Sequence, residues 1–435
     1  MTRTSLLIGS SCAVWGLFVQ LAAAAGQDTL HVDRLQAAAL RSDPRAGQPA
    51  LLRSASDLRL AVIGSARLPQ LELNGWASHQ SDITNPSLNL PGAAFPDLPL
   101  DRWQATLDVQ QTLYDGGVVS RRRALERARH AETAAEVDVA LYGLRSEVNA
   151  AFFSAFLLQQ RAAEYGALVT DLDARLATVR ARVEAGTALG RDAAEVEAER
   201  VRAMLQRDEA QAARRASLRS LSDLAGRPID TTAVLVLPEY QPERAQPDPI
   251  SLSALRRRPE FEHSRLARRR LDREAALAGS ENTPRISAFG QAGLGLPGLD
   301  QFRRTSDAFW QAGVRVEWHP WTWRSAGRSA AALRLQQQVL EAEEQALARR
   351  LARAVAGDLE EINRLGAALA EDERVVVLRE EIERQAKVQH DEGAITTDDY
   401  VETRTNVLEA RLTLQRHRVE LAQARATYLT TLGLP

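Results

Sequence analysis

The sequence predicts a mainly α-helical chain with a transmembrane β part, built as a tandem duplication of one strand, strand, long helical hairpin unit. Three observations carry this: blocks that recur at one fixed offset, two long helical runs, and short two-faced segments placed just before each run. Trp103-Gln104-Ala105 returns as Trp310-Gln311-Ala312, Gly186 as Gly393, Asp192 as Asp399, Glu195 as Glu402 and Gly226 as Gly433, each 207 residues later. Register held without an insertion means that the intervening segments have matched lengths, as two copies of one structural unit do.

The N-terminus reads as a secretory signal over residues 1–25. Met1-Thr2-Arg3 carries a positive charge, Leu6 to Leu21 is a short apolar run, and Ala22 to Ala25 offers the small residues a signal peptidase reads. Cys12, the single cysteine, lies inside it, so the mature chain is expected to hold no thiol, disulfide or cysteine metal ligand. A lipoprotein reading of Cys12 is weak, because Gly9-Ser10-Ser11 lacks the usual aliphatic residue. The 435 residues carry a formal charge of -2, so no basic field points to nucleic acid. Beyond the signal no run of apolar residues is long enough for a transmembrane helix. Membrane insertion would therefore use strands, which a bilayer accepts only in a closed barrel, because an open edge leaves backbone groups unbonded in hydrocarbon.

The strand segments come first in each copy. Ala105, Leu107, Val109 and Leu113 alternate with Gln104, Thr106, Asp108, Gln110 and Thr112; Ala308, Trp310, Ala312, Val314, Val316 and Trp318 do so more cleanly. Their partners are Pro69 to His79 and Pro284 to Leu296, the latter with Ile286, Ala288, Gly290, Ala292 and Leu294 on one side. Turn-rich loops, Ser81 to Pro99 and Pro297 to Asp307, separate the members of each pair.

Long helices follow. In the second copy Leu340, Leu347, Leu351, Val355, Leu359, Ile362, Leu365 and Leu369 recur at helical steps, and no proline interrupts Ser325 to Thr430. A helix from Ser325 to Val388 would be ~95 Å long at ~1.5 Å per residue. The first copy behaves alike from Val118 to Arg182, breaks near Gly186, and resumes to Ala225.

Four strands cannot close a lipid-spanning barrel, since bacterial barrels start at about eight. The chain must oligomerise if its strands meet lipid. Trp76, Trp103, Tyr114, Trp310, Trp318, Trp321 and Trp323 sit in or at the ends of the strand segments, where aromatic girdles belong. A soluble sandwich core would use the same tryptophans; the signal peptide and the long hairpins favour the barrel.

With these elements in place the sequence resembles the TolC family of outer-membrane efflux ducts. The matching residues are Ser42-Asp43-Pro44 with the helix running into Arg67-Leu68-Pro69-Gln70-Leu71; Gln111-Thr112-Leu113-Tyr114-Asp115-Gly116-Gly117 before a long helix; and Gly186 and Gly393 at the hairpin turns. Arg258-Pro259-Glu260 and Thr283-Pro284-Arg285-Ile286 repeat the first element in the second copy. The resemblance implies a homotrimer forming a twelve-stranded outer-membrane β-barrel continued by a periplasmic α-helical barrel. Its implied partners are a periplasmic adaptor, an inner-membrane pump of RND or ABC type, and outer-membrane lipid. No cofactor is implied. The function it implies is a passive exit duct of a tripartite efflux or type I secretion system.

The expected domains are 26–66, N-terminal helix and collar; 67–117, first strand pair; 118–226, first hairpin; 227–283, linker and collar; 284–324, second strand pair; and 325–435, second hairpin. Where the first copy has Asp115-Gly116-Gly117 the second has Thr322-Trp323-Arg324, so the glycine turn is expected to be missing there.

The hairpin tips hold the candidate functional residues. Asp399 and Glu402 share a helix face, as do Asp192 and Glu195, and threefold symmetry would repeat them as carboxylate rings at a constriction. By resemblance Asp192 fits a position that helps hold the tip closed, but the arginine expected two residues after the turn glycine is Ile395 here. The blander role is that these acids complement a helix N-terminus. Adaptor contact, by resemblance, would use Arg182, Gly186, Thr187, Leu189, Gly393, Ala394 and Ile395.

Catalysis finds little support. The seven histidines show no metal-ligand spacing, and Gly290-Gln291-Ala292-Gly293-Leu294-Gly295 lacks the lysine of a phosphate loop. His390-Asp391-Glu392 reads as a polar helix end. The alternative class is a periplasmic coiled-coil adaptor, which would carry one hairpin between small barrel domains. A purely structural coiled coil predicts heptads throughout and no amphipathic strands.

Overall fold

The structure, a computed structural model, describes residues 29–82, 99–240, 255–280, 282–300 and 305–434. The signal segment with Cys12, most of loop 81–99 and the middle of loop 297–307 lie outside the described residues. The chain begins with β1 (Thr29–Leu30), α1 (Val32–Ser42), a 3-10 turn (Pro44–Gly47) and α2 (Gln48–Ser65). The first unit follows as β2 (Gln70–His79), β3 (Asp101–Tyr114), α3 (Val118–Glu184) and α4 (Gly190–Ala225). After β4 (Val234–Leu235) and α5 (Pro259–Ala278) comes the second: β5 (Arg285–Leu296), β6 (Asp307–Glu317), α6 (Ser325–Asp391) and α7 (Thr397–Leu432).

The duplication is metrical as well as topological. Helices α3 and α6 each have 67 residues, and α4 and α7 each have 36. At about 1.5 Å per residue the longer pair reaches ~100 Å. Each long helix stops at a left-handed glycine, Gly186 (φ 74°) or Gly393 (φ 77°). There the chain turns back on carbonyls of the last helical turn: Thr187 N–H bonds Arg182 O at 2.9 Å, and Ala394 N–H bonds Gln389 O at 2.7 Å. The helices run a few residues past Arg182 and Val388, because these turns continue to the glycine itself.

Helix α3 packs on α4, α6 packs on α7, and α3 and α7 form the seam between the two hairpins. Helices α4 and α6 are left on the outer sides. In so elongated a molecule the described residues pack into three separate cores. One lies where α1, β1 and β4 cover α3, with Leu30, Leu35, Phe152, Phe153, Leu221 and Leu235 buried. A second joins α6 and α7 to Phe261 of α5 through Leu351, Val355, Leu365 and Tyr428. The third runs down the first hairpin through Leu172, Leu176, Val179 and Val196. Leu351, Val355, Ile362 and Leu365 of the helical stripe read in the sequence are thus core residues.

The two-residue strands β1 and β4 pair separately and in parallel, and the four long strands form one antiparallel sheet in the order β2-β3-β5-β6. Its central seam, β3 against β5, joins the two copies, while β2 and β6 are open edges. No described helix is long and apolar enough to cross a membrane.

The second copy corrects the expectation about its turn. Trp323 (φ 51°) and Arg324 (φ 58°) take the left-handed backbone that Gly116 (φ 65°) and Gly117 (φ 83°) take in the first copy. The turn is present without its glycines. Side chains hold it: Thr322 Oγ1 donates to Asn282 Oδ1 at 2.9 Å, and Trp318 Nε1 donates to Asn282 O at 3.1 Å. Trp321 and Trp323 meet edge to face at 5.7 Å. The backbone closes as Ser325 N–H bonds Thr322 O at 2.9 Å.

Candidate functional site

The sheet presents two chemically distinct faces, because its register keeps like residues side by side. On one face Leu73 lies opposite Leu107, Leu107 opposite Ala292 and Ala292 opposite Trp310, with Leu71, Val109, Leu294, Val314 and Val316 in neighbouring rows. These residues are largely exposed, Leu73 at 80% and Trp310 at 76%. An apolar surface of this breadth marks a lipid or protein contact. The strands have 10, 14, 12 and 11 residues, at or above the ~9–11 that span a bilayer when tilted.

The opposite face is polar and hydrogen-bonded across all four strands. Asp108 accepts from Asn74 Nδ2 at 3.0 Å, Thr106 Oγ1 at 2.8 Å and Gln291 Nε2 at 2.6 Å, and Gln311 Nε2 donates to Gln291 Oε1 at 2.6 Å. Small residues make room for aromatic rings here. A Cβ on Gly313 would come within 2.9 Å of the Phe289 ring, and one on Gly293 within 3.2 Å of the Phe309 ring.

The aromatic residues named from sequence divide between the faces. Trp103 and Trp310 share the apolar face near the loop end of the sheet. Trp76 lies on the polar face and donates Nε1 to Gln104 Oε1 at 3.1 Å. A bulge between Thr112 and Tyr114 brings Tyr114 opposite Ile286, onto the apolar face that strict alternation assigns to Leu113. Trp318, Trp321 and Trp323 are exposed at the helix end of the sheet.

The hairpin tips lie at the far end of the helices. Asp399 completes a capping box: its Oδ2 accepts from Thr396 N–H at 3.0 Å and Thr396 Oγ1 at 2.6 Å, while Thr396 Oγ1 accepts from Asp399 N–H at 3.2 Å. The Thr396 hydroxyl and backbone N–H hold the Asp399 carboxyl below its ordinary range. Asp192 does half of this, its Oδ2 accepting from Leu189 N–H at 3.0 Å, since a leucine N-cap has no side-chain acceptor. Glu402 is exposed and has no ion pair among the described residues. Glu195 is half-buried, and its Oε2 has no hydrogen-bond partner among the described residues. Arg182, Thr187, Asp192 and Ile395 line an open cleft of about 450 Å³ between the tips, beside Gly393. Leu189 and Ala394 are exposed outside it.

Sequence reasoning missed a polar seam just behind this cleft. His390 belongs to the polar helix end read from the sequence, but it turns inward: 9% of its side chain is exposed, and Arg175 Nη2 lies 2.9 Å from its Nδ1. The Arg175 guanidinium sits 3.8 Å from the Tyr400 ring centre. Tyr400 donates its hydroxyl to Glu383 Oε1 at 3.0 Å, and burial pushes its phenol up to about 12. Arg404 bonds Glu383 at 3.2 Å and Asp171 at 2.8 Å. Residues from α3, α6 and α7 therefore meet in one network. Their spacing in sequence gives no sign of it, because Asp171 and Arg175 come from the other copy.

No family model matches the chain, and no curated protein matches it. Solved structures do. CusC, whose structures concern folding and transmembrane channel formation, aligns with a TM-score of 0.70 at 15% identity over 93% of this chain and 92% of its own. The CmeC outer membrane channel of Campylobacter jejuni gives 0.67 at 15% identity over 92% and 85%. The MtrE outer membrane channel of Neisseria gonorrhoeae, in its open state, gives 0.66 at 18% identity over 93% and 89%. The fold is that of the outer-membrane channels. It is the fold expected from the TolC resemblance, shared here with proteins that keep less than a fifth of the sequence.

Proposed function

We propose that the chain is the outer-membrane channel of a tripartite export system, a passive duct for substrates delivered by an inner-membrane pump through a periplasmic adaptor. The observation that carries this is that both layers end in open edges at the same sides of the repeat. In the sheet the edges are β2 and β6, in the helical layer α4 and α6.

The duplication says what would cover them. Within the chain α5, which precedes the second unit, packs against both α6 of its own copy and α3 of the other. Its counterpart α2 packs on α3 and leaves Leu51, Leu58 and Val62 exposed at 71–72%. The surface of α6 that would complete the pattern, with Leu335 and Val339 exposed at 61% and 56%, is open too. A second copy set beside the first repeats the α5 contact as an α2 to α6 contact, and repeats the β3–β5 seam as β6 against β2. Three copies would close a twelve-stranded barrel in the outer membrane above a helical barrel in the periplasm.

In this reading the apolar sheet face meets lipid, with Trp103 and Trp310 near one interface and Tyr114, Trp318, Trp321 and Trp323 near the other. The polar row through Asp108 and Gln291 faces the lumen. Asp399, Glu402, Asp192 and Glu195 ring the narrow periplasmic end, and Arg182, Gly186, Thr187, Leu189, Gly393, Ala394 and Ile395 form the adaptor-docking rim. An adaptor role for this chain is disfavoured by its two equal hairpins and its four-stranded sheet.

Single-channel recording of the mature protein in a planar bilayer tests the reading. Small cation-selective steps, altered by Asp399→Ala with Glu402→Ala, are expected. Folded protein that never conducts would overturn the duct, and conductance identical in both forms would remove the acids from the constriction.

A further inference from the structure

The seam behind the tips contains a titratable group held in one protonation state by geometry. A guanidinium can only donate, so Nδ1 of His390, 2.9 Å from Arg175 Nη2, must be an unprotonated acceptor. The ring proton then lies on Nε2, 3.2 Å from Thr397 Oγ1, to which it donates. A neutral imidazole thereby joins α3 of the first hairpin to both helices of the second. A proton on Nδ1 would remove the acceptor and set two cations face to face.

The surroundings of His390 carry charges of both signs, and the neutral form is favoured by burial and by the guanidinium in direct contact with the ring. Helix α3 presents Arg175 and Arg182, with Asp171 one turn further on; α7 presents Thr397, Tyr400 and Arg404. Helix α6 itself contributes Glu383, Lys387, Asp391 and Glu392, and α4 adds Arg191 and Asp192 across the cleft. Asp391 is the acid nearest the ring, but its Oδ1 is 3.8 Å from Nδ1, too far for a hydrogen bond, and it is exposed. Arg404 is neutralised by Glu383 and Asp171. Burial, then the Arg175 charge, set the imidazole below its ordinary value of 6.5, with Asp391 opposing.

We propose that His390 is a pH-sensitive joint between the two hairpins, whose protonation releases Arg175 and lets the tips move apart. A group whose ordinary value is lowered by its closed surroundings stabilises that closed state above the ordinary value and ceases to do so as pH falls through the lowered one. The joint is therefore firm at neutral pH and loosens on acidification below about 6.5. Its functional weight rests on the reading of the tips as the narrow end of a duct, and the test separates the two.

Spin labels at Ala185→Cys and Ala394→Cys, in chains diluted into unlabelled protein, report the distance between tips in the full mature assembly whether or not it conducts. Between pH 8 and pH 5 the closed population should give way to a longer separation, with the ratio changing by at most about tenfold per pH unit, the limit for one proton. H390Q, which keeps an acceptor that does not titrate, and R175Q, which removes the opposing charge, should each abolish the shift. An unchanged separation in the wild type, or an H390Q protein that responds as the wild type does, overturns the joint. Conducting protein with immobile labels would leave the duct standing and sink the joint. Labels that move in the wild type alone, in protein that never conducts, would do the reverse.

Discussion

Trp323 holds at φ 51° the left-handed backbone that Gly116 holds at φ 65° in the first copy, 207 residues earlier. The two sites impose the same chain path with opposite tolerance. A Cβ on Gly116 would lie 2.0 Å from Thr283 Oγ1, whereas the Trp323 side chain is 77% exposed. Bulk is excluded where the copies join inside the chain and admitted where the turn faces outward.

Gly116→Ala should therefore destabilise the protein by roughly 2–4 kcal/mol, combining positive-φ strain with a clash. Arg324→Gly should instead leave the thermal midpoint in detergent unchanged or slightly raised, since relief of strain is offset by the added freedom of the unfolded chain. Calorimetry of the two variants side by side checks the contrast, and a larger loss at 324 than at 116 would refute it.

The C-terminus of α7 depends on Arg258. Its Nη1 donates to Thr431 O at 2.9 Å and Thr430 O at 3.3 Å, its Nη2 pairs with Glu260 at 2.5 Å, and the guanidinium lies 5.0 Å from the Tyr142 ring centre. Arg258→Ala should cost about 2–4 kcal/mol, because two helix-end carbonyls lose a charged donor and Glu260 loses its partner. Lysine should recover only part of this, lacking the planar fork. Denaturant midpoints of the three proteins would show the order.

The proposed assembly contact can be broken without touching the fold. Leu58→Glu on α2 and Leu335→Glu on α6 place charges on surfaces exposed in one chain, so secondary structure and the thermal unfolding of the single chain should be retained. Each substitution should convert trimers to smaller species in sedimentation in detergent. Intact trimers in both variants would reject the α2 to α6 contact.

The cap at the second tip should respond to acid far below the range of the His390 joint. Asp399 sits below its ordinary range because Thr396 donates to its carboxylate, so the cap is complete above the unfolded value near 3.9 and is lost as pH falls through the lower folded one. Amide exchange in the first turn of α7 should be constant from pH 8 to 5 after correction for intrinsic rates. Thr396→Ala should accelerate it throughout that range. A wild-type transition near pH 6 in those amides would contradict the assignment.

Much of this architecture was legible because its signals are periodic. The 207-residue offset, the uninterrupted stretch from Ser325 to Thr430 and the alternation from Ala308 to Trp318 each repeat a physical constraint many times, so local irregularity does not hide them. The sequence showed Asp399 as an acid near a helix start, while its cap with Thr396 emerged only from the hydrogen bonds of the folded tip. The bulge before Tyr114 was not legible either, since one extra residue shifts parity without changing composition.

The sequence by itself determined the unit, its duplication, the helix lengths and the two-faced strands, because each follows from bonding between residues near in the chain or from side-chain period. Tertiary structure alone decided that Trp323 and Arg324 could replace glycines, since contacts from Asn282 hold the turn they strain. It decided equally that His390 is buried against Arg175, 215 residues away. That pairing depends on how one hairpin packs on the other, a relation between surfaces that no local pattern encodes.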